Sequence, residues 1–181
     1  MTAKIFEFKP KPATPMHSLY LVVQEACNWA TALQQRAFAL GAEEAIDAAT
    51  CATLSAEAQK LRAQQIISVK YDAQLAEQRA RNVSETLPYR AGEFSGDSNF
   101  VARQLHALDA EVCAIEAQLT CVRLIADAAE REGQTRPVGE FDFLTAKLGR
   151  KQDEIAALQS KLVALSSSST SSSPTSSTVG Q

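Results

Sequence analysis

Aromatic side chains are scarce in this chain, at 6% of 181 residues with a single tryptophan, although 45% of the residues are apolar. Much of that apolar share is alanine, which favours helix more than any other residue but contributes little buried area. The core is therefore expected to be thin and extended. No apolar run approaches the ~20 residues that span a bilayer, which excludes an ordinary transmembrane helix. Residues 1–15 lack an apolar stretch followed by a small-residue cleavage site, so no secretory signal is expected there. The net charge is −3 and the pI about 5.5, without a broad electrostatic pull toward nucleic acid or anionic membrane.

Chemistry-bearing motifs are also missing. Two histidines and four cysteines are present, with no Cys-x-x-Cys, His-Glu-x-x-His, phosphate-cradling glycine loop or Gly-x-Ser-x-Gly. The inward Glu-x-x-His pair of carboxylate-bridged di-iron bundles is absent too. His106, Asp109 and Cys113 share one helical region, but seven residues of helix separate His106 from Cys113 by ~10.5 Å, too far to ligate one ion. No metal and no cofactor are expected. Cys27, Cys51, Cys113 and Cys121 follow no framework spacing and read as reduced thiols of a cytoplasmic protein. Acidic residues fall on outer helix faces, where ion pairing is the ordinary role. A helical enzyme would require ionisable residues clustered in a polar pocket between helices, and no spacing marks one.

What the chain does have is a 3-4-3-4 spacing of small and apolar residues in four stretches, the period that keeps one stripe against a partner helix. Residues 1–15 form an extended Pro/Lys arm. They read first as a flexible leader, with docking of Ile5, Phe6 and Phe8 on the body or on a partner strand edge as the sharper alternative. The first helix is expected from Thr14, with Pro15 at its first turn, and its stripe is Leu19, Val23, Ala26, Ala30, Leu33, Ala37 and Leu40. Gly41 is expected to end or weaken it.

Ala42 to Leu87 contains neither proline nor glycine. Cys51, Leu54, Ala58 and Leu61 form one stripe. Ile66, Val69, Ala73, Ala76, Ala80, Val83 and Leu87 form another, five residues out of step. One long helix with a shifted seam is favoured over two helices. Ser84 to Ser98, with Pro88, Gly92 and Gly96, is expected to be the main loop.

The third helix carries Val101, Leu105, Leu108, Val112, Ile115, Leu119, Val122, Ala126 and Ala129, and runs to about Glu132. The fourth carries Phe141, Leu144, Leu148, Lys151, Ile155, Leu158, Leu162 and Leu165. Glu140, Lys147, Glu154 and Lys161 alternate in sign at its flank, a pattern that influences helix pairing. Lys151 places a charge at a seam position, where it either fixes register or reaches water. Leu124, Ile125 and Phe143 widen the two stripes, so a further helix is expected against them. Residues 166–178 hold nine serines, three threonines and one proline; nothing there offsets the entropy of ordering, and disorder is expected.

The expected fold is all-α, four long helices as antiparallel coiled-coil hairpins or an elongated four-helix bundle over residues 16–165. The arm at 1–15 and a disordered Ser-rich tail at 166–181 flank it. The expected function is non-catalytic: an assembly, scaffold or adaptor component with no membrane role, binding protein partners or copies of itself as a homo-oligomer. Tyr89, Arg90, Phe94 and Lys151 are the candidate partner-binding residues. The alternative is a nucleic-acid-associated regulatory protein using Arg79, Arg81 and Arg90 beside Tyr89 and Phe94, together with the basic arm. Glu77, Glu85 and Glu93 interleave with those arginines and argue against it.

Overall fold

The computed structural model describes residues 15–46, 53–91, 98–134 and 138–169. Four helices account for nearly all of them: α1 (Pro15–Ile46), α2 (Ala56–Ala91), α3 (Ser98–Arg131) and α4 (Gly139–Ser169). No strand occurs among the described residues. The all-helical expectation is met. The arm at 1–14, Phe94 and the tail from 170 lie outside the described residues.

Four expected boundaries are corrected. Gly41 does not end α1, which continues to Ile46. A Cβ at Gly41 would meet Thr120 Cγ2 of α3 at 3.6 Å, so the glycine lies where α1 runs close to α3. Residues 42–87 are not one helix, because α2 has its own start. The Ser55 hydroxyl accepts the Ala58 amide at 3.3 Å, and the Ser55 carbonyl accepts the first helical bond from Gln59 at 3.0 Å. Glu57 lies in that first turn, where the helix dipole favours an acid.

Helix α2 then runs through the expected loop as far as Ala91. Pro88 falls in its last turn, where it removes a single backbone bond. Leu87, only 1% exposed, is buried with Leu19, Val83 and Phe100, which favours keeping that turn helical. Helix α4 continues past Leu165 to Ser169, with the hydroxyls of Ser166 and Ser167 donating to the carbonyls of Leu162 and Val163 at 2.9 Å.

The end of α3 is set by Gly133 in the left-handed region (φ 72°). The Gln134 amide reaches the Ala129 carbonyl at 2.9 Å and the Gly133 amide reaches that of Glu130 at 3.0 Å, the paired bonds of a Schellman stop.

Helix α3 is the central element and packs against each of the other three, while α1 also packs against α2. The α1 and α3 chains run in the same sense: Cys27 donates to the His106 carbonyl, and further along both helices Gln34 meets Glu116. Helix α2 runs against α1, with Arg79 on Glu25 at one end and Arg62 on the Leu40 carbonyl at the other.

Small residues of α3 (Ala110, Ala114, Ala117 and Cys121) join Ala30, Ala37, Ala73, Ala76 and Ala80 in the main core. Alanines let three axes approach closely but bury little area each, so the core is thin, as composition implied. Leu124 is buried in this same core with Ile125 against it, which accounts for the widened stripe on α3. On its other side α3 presents Ile115 and Val122 to Leu144 of α4, with Leu119, Phe141 and Leu148 around them.

Candidate functional site

Between α2, α3 and α4 lies a seam of buried polar residues that the sequence stripes did not show. Glu111 of α3 is fully buried, Gln118 is 2% and Glu77 of α2 5% exposed, and Ser84 is buried with them. The Ser84 hydroxyl donates to Glu111 Oε1 at 2.6 Å. Lys151 Nζ stands 3.2 Å from Glu111 Oε2, off hydrogen-bond alignment, so the contact is one of charge. The same ammonium reaches Glu154 Oε2 at 2.9 Å.

Glu77 accepts from Lys147 at 2.5 Å and from Gln118 Nε2 at 3.0 Å, and also meets Arg81. Burial pushes the Glu77 carboxyl up, but the bonds from Lys147 and Gln118 and the charges of Lys147 and Arg81 outweigh it, holding the group below the usual glutamate range. Burial likewise pushes the Lys151 ammonium down, and Glu154 and Glu111 more than reverse this, leaving it above the ordinary lysine value.

These are ionisable residues clustered inside a bundle, the arrangement a helical enzyme would need. Each carboxylate, however, faces a lysine. A cleft of about 650 Å³ between α1 and α3 and one of about 180 Å³ between α1 and α2 are both lined without any of them. The seam joins α4 to α2 and α3 through opposite charges, Lys147 on Glu77 and Lys151 on Glu111, which match particular turns of the three helices. Lys70 with Glu140 at 2.7 Å extends the same register toward the start of α4.

The second feature is on the outside of α2. Its inner stripe, Ile66, Val69, Ala73, Ala76, Ala80, Val83 and Leu87, is buried throughout, as the spacing indicated. Opposite it runs a second 3-4 series: Leu61, Gln64, Ser68, Tyr71, Leu75, Gln78, Asn82 and Glu85. Every residue of that series is exposed. Leu61 is 58%, Tyr71 63% and Leu75 56% exposed, and Ile67 flanks them at 45%. The phase break before Ile66 is thus a change of face: the stripe through Leu61 continues on the outside of α2. A scan for apolar residues misses it because half its positions are amides or hydroxyls.

The sequence-derived candidates are dispersed. Tyr89 and Arg90 lie in the last turn of α2, not in a loop, and Phe94 lies outside the described residues. Lys151 is on α4, in the buried seam. Arg79 is held by Glu25 at 2.6 Å over the Trp29 ring, and Arg81 by Glu77, so both are engaged within the chain. Phe143 on α4 is 59% exposed and stacked by Lys147.

Among the described residues, no three His, Cys, Asp or Glu side chains converge as metal ligands. Cys27, Cys113 and Cys121 are free thiols, and burial pushes Cys121 up to about 11. Cys51 lies outside the described residues. No described helix is long and apolar enough to cross a membrane. No family model, curated protein or solved structure matches the chain.

Proposed function

We propose that the protein is a non-catalytic assembly component, a scaffold that associates with copies of itself through exposed helical faces. The observation that carries this reading is the second 3-4 stripe on α2, exposed along its whole length with Tyr71 and Leu75 at its centre. Exposed Leu61, Tyr71 and Leu75 at this spacing, with Ile67 beside them, offer apolar contacts to another helix. The paired charges between α2, α3 and α4 support the same reading, because each buried carboxylate of the seam is matched to a lysine and holds the helices in one register.

The α3–α4 pair is read in this light as an antiparallel coiled-coil hairpin. Leu144 meets Ile115 and Val122, whereas Lys151, further along α4, meets Glu111, further back on α3. The test is the solution mass of the full chain by light scattering across a concentration series. The expected result is a rise from the 19.5 kDa of one chain toward twice that value. A constant single-chain mass at every concentration contradicts the proposal.

A further inference from the structure

Resting on that self-association, we propose a specific mode for it: a two-fold, antiparallel pairing of the outer face of α2 with the same face of a second copy. A two-fold contact uses one patch twice, so the patch must complement itself. The outer stripe does so about an axis at Ala73. Tyr71 falls opposite Leu75 of the second copy, and Leu75 opposite its Tyr71, giving two central apolar layers flanked by Ile67. Outside them Ser68 meets Gln78 and Gln64 meets Asn82, layers of neutral hydrogen-bonding groups.

Charge decides between the two directions of pairing. No member of the outer stripe from Leu61 to Gln78 is ionised, although half-buried Asp72 lies on its edge, while exposed Lys60 lies before it and exposed Glu85 closes it. Antiparallel pairing sets Lys60 beside Glu85 of the second copy at both ends. Parallel pairing sets Glu85 against Glu85 across the seam and leaves each Lys60 without an acid of the second copy. Antiparallel pairing gains the two Lys60–Glu85 contacts against one like-charge contact, that of Asp72 with its copy at the axis, so the antiparallel register is favoured. Polar layers lower the stability of such a contact while fixing its alignment, so the dimer is reversible and depends on concentration.

The experiment follows the solution mass of the full chain at low ionic strength for four variants. Tyr71→Glu places a charge in the central layer and is expected to weaken dimerisation at least about tenfold. Tyr71 is 63% exposed, so its helicity and melting should match the parent chain. Lys60→Glu and Glu85→Lys are each expected to weaken it by roughly threefold, and the double reversal to restore it.

A dimer indifferent to Tyr71→Glu, or a double reversal weaker than either single one, overturns this pairing while leaving self-association in place. A parent chain that stays monomeric overturns both.

Discussion

Glu111 shows how a single buried charge sets the geometry around it. It has no exposed surface, and its carboxylate rests on the Ser84 hydroxyl and the Lys151 ammonium. Lys151→Met removes the counter-charge and strands the carboxylate, and should cost about 3 kcal/mol in urea unfolding. Glu111→Leu combined with Lys151→Leu should cost less than either single change, because no buried charge is then left unpaired. The pH dependence follows from the two shifted groups. Glu77 is depressed in the folded chain, so its contribution is present above the ordinary glutamate value of 4.5 and is lost as pH falls through its lower folded value. Lys151 is raised, so its contribution is complete below the ordinary 10.5 and is lost as pH rises through its higher folded value. Urea midpoints should therefore fall below pH 4.5 and above pH 10.5, and Lys151→Met should flatten the alkaline limb. Lys151 was legible in the sequence as a charge at a seam position. Glu111 and Glu77 were not, since each lies between an apolar stripe and a flank, and only the packing of three helices decides that such a position is dry.

At the scale of the helix, interiors were easier to read than ends. The inner stripes of α1 and α2 follow from spacing, because small and apolar residues at a 3.5-residue period keep one face against a partner helix, whereas on α4 only Leu144 of the expected stripe is buried. Ends depend on competition between a local breaker and tertiary packing. Gly41 is a weak breaker, and the contact of α1 with α3 carries the helix past it. Gly41→Ala, whose added methyl meets Thr120 at ordinary contact distance, should stabilise the chain by about 0.5 to 1 kcal/mol in thermal or urea unfolding. Ser55→Ala, which removes the acceptor for the Ala58 amide, should cost about 1 kcal/mol by the same measurement. Pro88 is a stronger breaker that falls where burial of Leu87 favours one more turn. The outer stripe of α2 was illegible for a different reason: its period is intact, but hydropathy marks only Leu61, Tyr71 and Leu75, and the structure was needed to show every member on one exposed face.

For the whole molecule, α3 is sheathed by three neighbours while α2 keeps one side open. On the proposed reading, that open side of α2 is the face on which copies meet. The four long helices among the described residues and the all-α class were legible because the breaks between stripes are few. The closed charge seam was not, because it arises from α2, α3 and α4 together. Pairing through α2 is open to zero-length carbodiimide cross-linking of the unmodified chain, followed by peptide mass spectrometry. Lys60 and Glu85 stand 25 residues apart on one helix, about 37 Å at 1.5 Å per residue, so a direct amide between them can form only between copies. Antiparallel pairing predicts a Lys60–Glu85 link whose yield rises with protein concentration. Cross-linked dimers that contain other pairs but never this one would contradict it.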